Sequence, residues 1–132
     1  MTNLILSVVA ALIQLESGGN FMAVGDGGHA IGILQLHRIA VDEAVRIDSI
    51  YAARERRAPR LWTYRDRLNP NKSRDMAFIT LRFHYERGTT NAVALGGKWN
   101  RPYGPANDAY NRKVRRELNR TGGLHEIQSI LR

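Results

Sequence analysis

Apolar residues at the start of the chain recur at helical spacing. Leu4, Ile5, Val8, Val9, Leu12, Ile13 and Leu15 give a wide apolar face. Thr2 or Asn3 suits the start of that helix, and Ser17-Gly18-Gly19 suits its end, since glycine tolerates the left-handed terminal conformation. Glu16 therefore falls at the C-terminal end of the first helix. The pattern then changes. From Asn20 to Leu36 short apolar pieces alternate with Gly25, Gly27, Gly28 and Gly32, and Asp26-Gly27 is a strong turn signal. A small hairpin is expected at Ala23 to Ile31.

Helical spacing resumes from Ile39 to Ile50. Tyr51 to Asn71 is irregular and basic, broken by Pro59 and Pro70, and reads as partly helical connecting structure. Ser73 is placed to cap a helix whose face carries Met76, Ile79, Thr80, Phe83 and His84, ending before Gly88. Thr89 to Leu95 offers a short helix stopped by Gly96-Gly97, followed by a loop over Trp99 to Pro105. Ala106 to Asn119 reads as a last helix, and Gly122-Gly123 precede a short amphipathic tail. The expectation is a mainly α-helical fold with one small β-hairpin region, an α+β class.

The 132 residues set one domain, 1–132, as the expectation, large enough to bury a core unaided. Without cysteine, neither disulfides nor a cysteine metal site can form. His29, His37, His84 and His125 are scattered without ligand spacing, so no metal and no cofactor are expected. The apolar start has no basic segment before Leu4 and no small-residue cleavage site, and it is too short to span a bilayer. It reads as a buried helix rather than a signal peptide. Lys and Arg total 20 against 12 Asp and Glu, a formal charge of +8. That favours anionic partners: nucleic acid, anionic lipid, or wall polymer.

The chemistry concentrates between Glu16 and Leu36. A carboxylate at a helix C-terminus faces the negative end of the helix dipole. Apolar neighbours such as Leu12 and Ile33 would add desolvation, and both effects favour the protonated acid. A carboxylic acid kept protonated near neutrality can protonate a glycosidic oxygen. Glycines let backbone approach a bulky sugar chain, and the Gln35 amide can bond sugar or brace the loop.

Glu16-Ser17 at a helix end, the stretch Gly25 to Gly32, and the motif Gly32-Ile33-Leu34-Gln35-Leu36 together resemble the lysozyme-like superfamily. The likeness is to lytic transglycosylase (SLT-type) domains and the related invertebrate-type lysozymes, and it covers roughly residues 4 to 118. It implies a lysozyme-like fold, an aromatic-Asn pair at Trp99-Asn100, and a closing helical segment from Tyr110 to Val114. Arg101-Pro102 stands where the family commonly has Gly-Gly. The lack of cysteine favours a bacterial or phage-like member over the disulfide-rich animal ones.

The resemblance implies cleavage of the β-1,4 bond between N-acetylmuramic acid and N-acetylglucosamine in peptidoglycan, with chitin as a side substrate. Glu16 would be the general acid. Asp26 is either the second carboxylate that stabilises or attacks the cationic centre, or a turn residue. In the latter case the sugar's own 6-hydroxyl attacks. Gln35, Trp99, Asn100, Ser17 and Tyr103 are the substrate-binding candidates, with Tyr51 a weaker one. The expected partner is the peptidoglycan glycan strand, met at the cell wall by a monomer without nucleic acid. Two rivals compete: a basic nucleic-acid-binding domain using Arg112, Lys113, Arg115 and Arg116, and an inactive glycan-binding fold.

Overall fold

A computed structural model describes residues 1–121; Gly122-Gly123, the amphipathic tail and His125 lie outside them. Helix α1 spans Thr2–Ser17, α2 Arg38–Glu55, α3 Pro70–Glu86, α4 Ala92–Asn100 and α5 Asp108–Arg120. Strands β1 (Val24–Gly25) and β2 (Ala30–Ile31) pair antiparallel, Val24 with Ile31 and Gly25 with Ala30. This is a mainly helical α+β fold. Among the described residues no helix is long and apolar enough to cross a membrane.

Contacts among the described residues cluster into two compact units: Met1–Leu15 with residues 81–121, and Glu16–Thr80. In the first, Ile5, Val8, Leu12, Leu81, Leu95, Val114 and Leu118 are fully buried. The glycines Gly96-Gly97 do not stop a helix there; they lie inside α4. A Cβ on Gly96 would come within 2.6 Å of Val114 Cγ1, and one on Gly97 would collide with the Asn111 amide. The small residues serve close approach of α4 to α5, which outweighs their helix-breaking tendency. Asn91 and Asn107 cap α4 and α5 by accepting from the Ala94 and Tyr110 amides.

In the second unit Leu34, Leu36, Ala44, Ile47 and Met76 are fully buried. Tyr51 is 2% exposed on α2, so it is a core residue rather than a cleft residue. Ser73 is not a cap. Pro70 opens α3, Asn69 Oδ1 accepts from the Lys72 amide, and the Ser73 hydroxyl donates to the Arg67 carbonyl. Helix α2 outruns its expected end to Glu55, closed by Arg56 in the left-handed region at φ 54°.

Buried Asp48 organises the segment after α2. Its carboxylate accepts from Arg57 Nη2 at 2.8 Å, from Arg60 Nε and Nη2 at 3.1 and 2.9 Å, and from the Arg60 amide at 2.6 Å. Burial pushes its pKa up, but the bonds from Arg57 and Arg60 outweigh that and hold it below the ordinary 3.8. Asp48→Asn strands the two guanidiniums and should cost about 3 kcal/mol in urea unfolding. Because the folded pKa is depressed, Asp48's contribution is present above the ordinary carboxylate pKa. It is lost as pH falls through the folded value. Unfolding free energy of the wild type should therefore drop as the pH falls below the ordinary carboxylate pKa, and Asp48→Asn should flatten that limb.

Candidate active site

Glu16 occupies the next-to-last position of α1 and is half-buried. Gly18 and Gly19, at φ 62° and 88°, end the helix in the left-handed region. The unmatched carbonyls of that end oppose negative charge beside them. The Ser17 hydroxyl donates to the Ile33 carbonyl at 2.6 Å and accepts from the Gly19 amide at 3.2 Å. Ser17 thus ties the end of α1 to the Gly32–Leu36 motif, and this fixes where Glu16 sits within its unit.

That motif is a tight loop. Ile31 and Leu36 exchange backbone hydrogen bonds of 3.2 and 3.0 Å, and the Gln35 amide donates to the Gly32 carbonyl at 3.1 Å. Gly32 has φ 87°, and a Cβ there would collide with the Arg67 carbonyl, so position 32 requires glycine twice over. Gln35, also left-handed at φ 49°, turns its side chain onto the hairpin. Its Nε2 donates to the Ala23 and Gly32 carbonyls, both at 3.1 Å, while its Oε1 lies against Gly25. The geometry places Gln35 as a brace of the loop.

Asp26, Gly27 and Gly28 run through the turn between β1 and β2 with φ of 48°, 61° and 95°. The Asp26 carboxylate is exposed and meets His37 Nε2 at 3.0 Å. The described residues bring Glu16, Ser17, Asp26 and Gln35 into one unit.

Trp99, Asn100 and Tyr103 belong to the other unit. Trp99 and Asn100 are not in a loop; they form the last turn of α4. Trp99 is half-buried, and exposed Asn100 accepts from Asn107 Nδ2 at 3.1 Å. Tyr103 is 60% exposed, its ring 5.8 Å from that of His84. Among the described residues no three His, Asp or Glu side chains cluster as metal ligands.

Two residues at this site were not singled out in the sequence. His37 is one, as the partner of Asp26. Arg67 is the other, only 7% exposed, with its guanidinium donating to the Tyr64, His29 and Leu36 carbonyls. The available signal was Thr63-x-x-Asp66, a capping box that sets the short helical turn Tyr64–Leu68 and so aims Arg67.

A family model described as Transglycosylase SLT domain matches residues 1–121. No curated protein and no solved structure gives a match.

Two stability measurements check the loop. Gly32→Ala meets both the positive φ and the Arg67 carbonyl, and should lower unfolding free energy by about 2–3 kcal/mol. Ser17→Ala, which removes one hydrogen bond from a half-buried carbonyl, should cost about 1 kcal/mol.

Proposed function

The chain belongs to the transglycosylase SLT domain family of peptidoglycan-cleaving enzymes, and from that premise we propose that Glu16 is the acid that breaks its glycan strands. The bond cut is the β-1,4 link from N-acetylmuramic acid C1 to the O4 of N-acetylglucosamine. The observation that carries this reading is Glu16 at the C-terminal end of α1, held against the Gly32–Leu36 loop by the Ser17–Ile33 bond.

The chemistry follows from one carboxyl group. Glu16 gives its proton to O4 as the C1–O4 bond breaks, leaving a cationic C1. The resulting Glu16 carboxylate then takes the proton of the same sugar's 6-hydroxyl. O6 attacks C1, and the product carries a 1,6-anhydro end. Glu16 is thus acid first and base second, and no second carboxylate is needed.

The setting of Asp26 favours this route over hydrolysis. Its carboxylate is 70% exposed and engaged with His37. A group so well hydrated is poorly placed to meet a developing cation in a desolvated site. Asp26 instead holds the turn between β1 and β2 to the start of α2. Trp99 and Tyr103 offer ring faces to sugar and Asn100 an amide, while Ser17 and Gln35 shape the loop beside Glu16. The exposed Arg112, Lys113, Arg115 and Arg116 of α5 concentrate the enzyme on anionic wall polymer.

Digestion of purified peptidoglycan followed by mass analysis tests the route. The expected fragments are lighter by one water than hydrolysed muropeptides, and Asp26→Asn should release them within about threefold of the wild-type rate. Fully hydrated products, lost together with activity in Asp26→Asn, would establish the two-carboxylate lysozyme reaction instead. Release of no fragments would overturn the enzyme reading.

A further inference from the structure

The turn between β1 and β2, the start of α2 and Arg67 enclose a cleft of about 580 Å³ within the Glu16–Thr80 unit. It is lined by Gly28, His29, His37, Arg38, Ile39 and Arg67 among others. Among the described residues no acidic side chain is part of this lining, the nearest being Asp26, paired with His37. Three features of its walls bear on what it can hold.

The first is the start of α2. His37 is the N-cap residue, yet its side chain makes no cap hydrogen bond and the first turn carries no acidic residue. Its ring is turned to Asp26 instead. The Ala40 and Val41 amides reach back to the His37 carbonyl, whereas the Arg38 and Ile39 amides have no acceptor among the described residues. An eighteen-residue helix thus presents open N–H donors and the positive end of its dipole at the cleft.

The second is independent of the helix. A guanidinium has five N–H donors. Arg67 uses its Nε on the Tyr64 carbonyl at 2.8 Å, and its Nη1 on the His29 and Leu36 carbonyls at 3.3 and 3.1 Å. The two hydrogens of Nη2 have no acceptor among the described residues. Among the described residues no carboxylate pairs with this side chain, although it is more than nine-tenths buried. The body of the side chain is buried, but Nη2 is not sealed off, so its two free donors are open to the cleft that Arg67 lines, where an anion would supply a counter-charge.

The third is a second cation of the same kind. Arg38 also pairs with no carboxylate among the described residues; its guanidinium lies 4.8 Å from the Tyr64 ring centroid. The acids of the neighbourhood are engaged elsewhere, Asp26 with His37 and Asp42 with the Tyr64 hydroxyl. Burial, and after it the charge of Arg38, pulls the Arg67 pKa down, as expected for two cations near the same Tyr64 ring.

We infer that this cleft is an oxyanion-binding site, taking a carboxylate or phosphate group between the open amides of Arg38 and Ile39, the Arg67 Nη2 and the Arg38 guanidinium. The site stands on its own residues and does not depend on the Glu16 chemistry. Helix N-terminal amides joined by guanidinium donors are the usual means of holding such a group.

Titration of the isotope-labelled wild-type protein with inorganic phosphate, at ionic strength held constant with sodium chloride, tests it by NMR. Saturable shifts are expected at the Arg38 and Ile39 amides and at the Arg67 Nε–H. Arg38→Gln should weaken binding about tenfold through loss of a charge-assisted contact. His37→Asn, which supplies the missing cap oxygen while leaving both arginines, should also weaken it. A parallel titration with acetate separates the ligand classes: saturation by acetate assigns carboxylates, and saturation by phosphate alone assigns phosphates. Saturation by neither, or affinities unchanged in both variants, overturns the site.

Discussion

The Glu16–Thr80 unit depends on one buried arginine. Arg67 donates to the Tyr64 carbonyl at the start of its own turn, to His29 at the hairpin and to Leu36 at the close of the glycine-rich motif. Its own carbonyl accepts from Ser73 and packs over Gly32. The hairpin, the glycine-rich motif and the Tyr64–Leu68 turn are thereby joined through backbone carbonyls that accept from one side chain. The loop so held receives the Ser17 hydroxyl, and through Ser17 the end of α1 that carries Glu16. A glycine with φ 87°, a buried cation and a helix-end serine form one connected constraint.

The same arginine links structure to electrostatics. Neutral carbonyls solvate its charge without cancelling it, so the cleft beside it stays positive. Asp48 shows the contrasting solution, where a buried carboxylate is matched by two arginines and its pKa falls. One buried charge is completed within the fold and the other is left open toward a cleft. In a chain of formal charge +8, such uncompensated positions favour anionic polymer over neutral sugar alone.

Much of this was legible in the sequence. The apolar spacing from Leu4 to Leu15 placed α1 and so put Glu16 at its end, and Asp26-Gly27 marked the hairpin turn. The order of short motifs carried the family. What misled was local punctuation. Gly96-Gly97 reads as a stop, but these residues lie within α4 because Val114 and Asn111 leave no room for a Cβ. That information sits in a neighbouring helix. Ser73 reads as a cap, yet Pro70 and Asn69 start the helix one turn earlier. Tyr51 reads as a cleft aromatic and is core. Arg67 and the Asp48 partners Arg57 and Arg60 lay in a stretch read as irregular, because long-range polar pairing leaves no periodic trace. Gln35 was read with two roles open, and its amide contacts favour bracing the loop.

The mechanism we propose rests on Glu16 as the proton donor. The most direct measurement is the rate of soluble fragment release from purified peptidoglycan by Glu16→Gln, with folding verified by circular dichroism and thermal unfolding. An amide keeps the shape and removes the proton, so a folded variant should lose at least about a hundredfold in rate. A folded Glu16→Gln protein that releases fragments at the wild-type rate would contradict that role.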